Sequence, residues 1–395
     1  MTPTVGRSVR PTVGDLSGAV ADLGVFVPLS AALIVVNGLR PGPVLVAAGL
    51  LVILSGLRFR LPWPVQPLKA LTAIAVGQGL SADLVHAGGL LVGVCLLLLT
   101  ATGWTPRLAA WFTKPVIRSL QLGVGGLLVL SALRLVAAPP PVFTRPPPPA
   151  RGLWLLVVAT TVVAVVAWRR WYGTGVAGVA VGTVVSVAAA APQLGVISPS
   201  IPVPAMPDLG ALPAAFALLV VPQLPLTFGN AVVGVSDLAR EHFGDRAGRV
   251  TPSRVAISAG LANVGSAFLG GMPMCHGSSG FTAHVRLGAR NAGMNVVLGA
   301  TLLVVGITLP RQVLALFGAL PVWALGGFLA YAGLRHALLV ADLRGRDLTH
   351  ALVAGGIGLA TGNLAVATAV ALVLAHAPRV LAPTAPALPT ARTGA

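Results

Sequence analysis

Apolar runs long enough to cross a bilayer recur along this chain, and two of them are broken by stretches rich in Pro, Gly and polar residues. The breaks are LPWPVQPLKA at 61–70 and MPMCHGSSGF at 272–281, 211 positions apart. At that offset Pro41, Val44, Ala48, Gly49, Leu50, Ser55 and Pro62 fall on Pro252, Val255, Ala259, Gly260, Leu261, Ser266 and Pro273, seven identities in twenty-two positions. A single break can be a mere kink. Two breaks in register across a repeat point instead to a solute site near the bilayer midplane.

Residue composition agrees with a polytopic membrane protein: 56% of residues are hydrophobic and 9% are charged. A net charge of +17 could suggest nucleic acid in a soluble chain, but the basic residues sit between the apolar runs. With a cytoplasmic N-terminus, twenty of the twenty-six Lys and Arg fall inside, including Arg58, Arg60, Arg107, Lys114, Arg118, Arg169, Arg170, Arg286, Arg290, Arg344 and Arg346. Arg40, Arg145, Arg151 and Arg311 fall outside, and Lys69 and Arg134 lie within spans. The asymmetry predicts that both termini are inside. Asp15 and Asp22 interrupt the first apolar run, which reads as a span rather than a signal peptide. Cys95 and Cys275 lie in apolar segments and read as packing residues, and no metal or other cofactor is expected.

Hydropathy predicts an all-α membrane protein with spans near 14–36, 41–57, 61–80 (broken), 84–103, 116–136, 152–168 and 173–191. The second series is 211–236, 253–269, 272–288 (broken), 291–309, 312–333, 348–360 and 363–377. Seven spans in each half place the halves in opposite orientations, an inverted repeat of about fourteen spans. The last pair could be one helix, but the glycines of AGGIGLATGN at 354–363 and the inside count favour two. PPPVFTRPPPP at 139–149 is expected to be an extended external loop. The Pro- and Ala-rich stretch 377–395 is expected to be disordered.

Pro62, Pro64 and Pro67 forbid a continuous helix through the first break, while Pro67 suits the first turn of a half-helix carrying Lys69. Gly277, Ser278, Ser279 and Gly280 mark the start of a second half-helix. Two such N-termini, each with unpaired N–H groups and a positive dipole end, would hold an anion. Lys69 is an intramembrane cation that balances such an anion or pairs with Asp22. Asp22 and His276 are the candidates for proton coupling, with structural pairing and a fixed hydrogen bond as their plainer roles. Gln223, Thr227, Asn230 and Gly234 fall on one helical face, as substrate lining or as helix-to-helix glue. The candidate substrate-binding set is therefore Gln66, Pro67, Lys69, Gln223, Asn230, His276, Gly277, Ser278 and Ser279.

GDLSGAVADLGVFVPL at 14–29, PVQPLKALTA at 64–73, PQLPLTFGNAV at 222–232 and GGMPMCHGSSGFTAHVRLGAR at 270–290 resemble the prokaryotic and plant molybdate transporter family, a branch related to SulP sulfate permeases. The resemblance implies a seven-plus-seven inverted repeat of the uracil-permease and SulP type, with spans 3 and 10 broken into short strand plus half-helix. It implies a cytoplasmic N-terminus over 1–13, a core domain over 14–103 and 192–309, and a gate domain over 104–191 and 310–377. The external loop at 137–151 would belong to the gate, and 378–395 would be a cytoplasmic tail without the regulatory domain that SulP permeases commonly carry. Where the family has a GxGG-like run after the histidine, this chain reads Gly277-Ser278-Ser279-Gly280, which adds hydroxyls.

The implied activity is proton-coupled uptake of molybdate, or of sulfate or tungstate, across a prokaryotic plasma membrane by movement of core against gate. The partners would be the oxyanion, protons and the lipid bilayer, with a homodimer left open and nucleic acid excluded. An anion channel and a nucleobase or neutral-solute permease are the competing readings. A nucleobase needs fixed acceptors for its ring N–H groups, and neither 211–236 nor 272–288 contains an acid. An enzyme is not expected, since no HExxH, catalytic carboxylate pair or Ser–His–Asp constellation is evident.

Overall fold

The computed structural model describes residues 9–143, 146–190 and 195–381. The chain opens with α1 (Val13–Val20) and α2 (Leu23–Asn37) where one span was predicted. The helix is interrupted at Ala21 and Asp22, and Asp22 uses its carbonyl to start α2, accepting from the Phe26 amide at 2.7 Å. Then come α3 (Pro41–Phe59), the two-residue strand β1 (Gln66–Pro67), α4 (Lys69–Gln78), α5 (Ala82–Ala101), α6 (Trp104–Trp111), α7 (Lys114–Ala137), α8 (Pro149–Arg169) and α9 (Tyr172–Ala190).

A long composite helix follows, in which α10 (Leu212–Ala215), α11 (Val221–Leu226) and α12 (Val235–Phe243) alternate with π-helical stretches at Phe216–Val220 and Thr227–Gly234. Pro225 lies inside α11, just before the second π stretch, and cannot donate a backbone hydrogen bond. The remaining elements are α13 (Pro252–Phe268), β2 (Met274–Cys275), α14 (Ser278–Arg286), α15 (Gly293–Thr308), α16 (Val313–Ala319), α17 (Val322–Ala337), α18 (Gly345–Thr361) and α19 (Leu364–Leu381). The run at 312–333 is thus two helices, broken at Leu320 and Pro321. The last pair is also two, separated at Gly362, whose φ of 65° lies in the left-handed region. Of the tail, 382–395 lies outside the described residues.

The proline-rich stretch departs from a fully extended form. Phe143 is buried and its amide bonds the Pro140 carbonyl at 3.0 Å, because an aromatic ring gains more from the core than from water. Thr144 and Arg145 lie outside the described residues.

Among the described residues seven helices are long and apolar enough to cross a membrane, and Tyr172–Val185, Gly293–Thr308 and Leu364–His376 are shorter apolar helices. Early helices pack on late ones: α3 on α15, α5 on α13, and α7 on α17 and α18. Small residues permit the approach, as in other membrane helix pairs. A methyl group on Gly49 of α3 would come within 2.7 Å of the Gly299 carbonyl of α15.

Candidate functional site

The two breaks meet. β1 and β2 pair antiparallel, with Gln66 opposite Cys275 and Pro67 opposite Met274, and the Leu68 amide bonds the Pro273 carbonyl at 3.0 Å. Extended backbone inside a membrane needs a partner for every N–H and C=O. Two buried asparagines supply several. Asn295 of α15 accepts from the Trp63 amide at 2.9 Å and donates to the Trp63 carbonyl at 2.6 Å. Asn263 of α13 does the same for Met274, at 2.9 and 2.6 Å. Trp63, fully buried, stacks on Phe59 at 4.0 Å between ring centroids and fills the space behind β1.

Each strand leads directly into a short helix, so the N-termini of α4 and α14 lie against each other. A methyl group on Gly277, the residue before α14, would come within 3.1 Å of both Lys69 Nζ and Gln66 Oε1. At Gly280 a methyl group would come within 2.5 Å of Gln66 Nε2, so a larger residue there would displace the Gln66 amide. Among the described residues the amides of Lys69, Ala70, Ser278 and Ser279 have no protein acceptor. Orphan donors at facing helix ends favour negative charge.

On the α4 side a chain of polar groups runs inward. Lys69 Nζ donates to Gln66 Oε1 at 3.0 Å, and Gln66 Nε2 donates to Asp22 Oδ1 at 2.6 Å. Asp22 Oδ2 lies 3.0 Å from His284 Nε2, and His284 Nδ1 lies 2.8 Å from the Gly18 carbonyl. A carbonyl can only accept, so His284 Nδ1 carries a hydrogen. Nε2 and Asp22 Oδ2 face each other without hydrogen-bond geometry, and the contact is attractive only when a proton lies on one of them. The expected Lys69–Asp22 pair is therefore indirect: Gln66 stands between the two charges.

On the α14 side the groups are hydroxyls. Ser278 Oγ donates to Asn230 Oδ1 and lies 3.2 Å from His336 Nε2. Thr282 Oγ1 donates to the Ser278 carbonyl at 3.1 Å and meets His336 Nδ1 at 3.1 Å. Ser279 Oγ is fully buried and has no partner among the described residues. A buried hydroxyl without a hydrogen bond is costly unless a ligand completes it.

Of the remaining candidates, Gln223 accepts from the Leu71 amide at 2.8 Å and donates to Thr227, so it caps the α4 N-terminus. Asn230 serves α14 instead, because the intervening π turn rotates it away from Gln223. Pro67 sits in β1. His276 is held on the α13 side, with Nδ1 3.0 Å from the Pro64 carbonyl and Nε2 2.9 Å from Ser258 Oγ. Both its ring nitrogens are engaged, which makes it a brace for the first break. Sequence reasoning missed His284 and His336. His284 lies seven residues beyond Gly277, on the same helical face, and could have been found from that spacing. His336 arrives from α17, and no local signal marks it.

Comparisons with known proteins define the class and then the family. The fold matches the transmembrane domain of the cyanobacterial bicarbonate transporter BicA, with a TM-score of 0.57 at 16% identity over 92% of this chain and 96% of that one. It also matches the murine Slc26a9 anion transporter in the inward-facing state, with a TM-score of 0.58 at 16% identity over 96% of this chain and 70% of that one. The chain is an integral membrane protein with the fold of these transporters.

A family profile described as "Molybdate transporter of MFS superfamily" matches residues 14–128 and 215–335, and the chain belongs to that molybdate transporter family. Molybdate transporter 2 of Arabidopsis thaliana is 27% identical, over 86% of this chain and 82% of the relative. Molybdate transporter 1 of Chlamydomonas reinhardtii is 29% identical, over 92% and 90%.

Proposed function

We propose that this protein is a secondary active transporter that imports a tetrahedral oxyanion, molybdate first, with sulfate and tungstate as related substrates. The observation that carries the reading is the meeting of the α4 and α14 N-termini across the β1–β2 pair, with Lys69 and the unpartnered Ser279 hydroxyl beside it. The anion would accept from Lys69, from the amides of Ser278 and Ser279 and from the Ser279 hydroxyl, with Gln66, Gln223 and Asn230 holding the surrounding groups in place. Similarity to named molybdate transporters supports molybdate within the oxyanion class.

Neutral rings fit less well. A nucleobase needs free acceptors, and Asp22, the acid joined to the site, gives Oδ1 to Gln66 and has Oδ2 3.0 Å from His284 Nε2.

Proton coupling is assigned to Asp22 with His284, in place of His276. The chain His284–Asp22–Gln66–Lys69 links a proton on that pair to the anion's counter-charge, so filling one end biases the other. In the fourteen-span inverted repeat, β1–α4 and β2–α14 are the broken spans 3 and 10 of a core that moves against a gate. His336 and Arg118 are then the gate's contacts with the core. Arg118 of α7, fully buried, bonds Asp342 at 2.6 Å beyond α17 and Glu241 at 2.9 Å on α12. Alternating access would break and remake the contact with Glu241.

Uptake by purified protein in liposomes tests the reading. Molybdate should accumulate against its gradient when the outside is acidic, sulfate should compete, and uracil should not. Passive flux that never concentrates molybdate would identify a channel and sink the carrier.

A further inference from the structure

A cleft of about 760 Å³ opens where the ends of α8, α14 and α17 meet the start of α9, away from the facing N-termini of α4 and α14. Arg170, Arg286, Arg290 and Arg335 line it with His242, and among the described residues no acid does. The Nε atoms of Arg286 and Arg335 are buried and have no hydrogen-bond partner among the described residues. Arg290 gives its Nη1 to the carbonyls of Val285 and Ala289, and nearby Glu241 is engaged by Arg118. Arg170 is held at φ 56°, a left-handed conformation that costs a side-chain-bearing residue energy. Like charges crowded around a partly desolvated cleft repel one another unless an anion sits among them.

The opposite wall is different in kind. Thr161, Ala164, Val165 and Ala167 of α8 line it with Thr160, whose hydroxyl is turned back to the Leu156 carbonyl, and Trp168 stands at the end with 76% of its surface exposed. The Arg169 guanidinium lies 4.8 Å from the Trp168 ring. An exposed Trp beside Arg at the end of an apolar helix marks the headgroup level of a bilayer. A free oxyanion would occupy only the basic wall, whereas a phosphodiester joined to acyl chains matches both.

We propose that this cleft binds an anionic phospholipid, with its phosphate among Arg170, Arg286 and Arg335 and an acyl chain along α8. Because α14 begins at the oxyanion site and ends at Arg286, the lipid would brace that helix against α8 and α17.

The test is reconstitution of the full chain in vesicles of equal phosphatidylcholine and phosphatidylglycerol, with the lipid retained after purification counted by mass spectrometry. Phosphatidylglycerol should be enriched roughly tenfold over phosphatidylcholine, about what one or two arginines at a headgroup supply. The Arg286→Gln/Arg335→Gln variant should return the ratio to that of the bulk. Equal enrichment in the variant overturns the proposal. Should the variant fail to fold, the native chain decides: brominated phosphatidylglycerol should quench Trp168, read by difference from Trp168→Phe, more strongly than brominated phosphatidylcholine. Equal quenching by both lipids overturns the proposal, as does displacement of phosphatidylglycerol by inorganic phosphate or molybdate, which would make the cleft a free-oxyanion site.

Discussion

The α4 and α14 half-helices share one backbone device and differ in everything attached to it. α4 brings a cation whose partner, Gln66, is tied to an intramembrane acid and histidine. α14 brings hydroxyls, one of them unpartnered, and leans on Asn230 and on His336 of α17. The backbone donors are common to both halves. In the proposed mechanism, charge balance and proton linkage fall to the first, and shape and hydroxyl donation to the second.

Four substitutions probe that division, the largest effect first. Lys69→Ala should weaken molybdate binding about 10- to 100-fold, the worth of a hydrogen bond to a charged group in a dry site. Calorimetry on purified protein measures it, and unchanged affinity would remove the counter-charge role. Asp22→Asn keeps an acceptor for Gln66 but removes the titrating carboxylate. It should abolish accumulation driven by a pH gradient while molybdate binding falls less than about tenfold; retained acid-driven accumulation would move coupling elsewhere. Ser279→Ala should reduce affinity only about three- to tenfold, and thermal stability should hold or rise slightly, because the lost hydroxyl had no partner to leave behind. A loss as large as that for Lys69→Ala would erase the contrast between the two halves. His276→Gln should leave affinity unchanged and lower stability by about 1–2 kcal/mol through the lost brace to Pro64 and Ser258.

Much of the fold was legible because the signals were local. Prolines at 62, 64 and 67 and the Gly277–Gly280 run mark the breaks in the chain itself, and apolar length marks most helices. The interruption at Asp22 shows in the sequence only as a charged residue within an apolar run. The π turns were invisible to a count that assumed regular helix from Gln223 to Gly234. Lys69 and the serines could be named from the sequence, but their partners could not. The contacts of Gln66 with Asp22, Asn295 with Trp63 and Arg118 with Asp342 join residues distant in the chain. Only tertiary packing decides such contacts.

The central claim is that the oxyanion sits between the two facing helix ends. Molybdenum scatters X-rays anomalously, so crystals of the native chain grown with molybdate test it directly. The account predicts a single molybdenum peak between the N-termini of α4 and α14, within hydrogen-bonding reach of Lys69 Nζ and Ser279 Oγ. An empty position there, with the peak in the Arg286–Arg335 cleft or elsewhere, would contradict it.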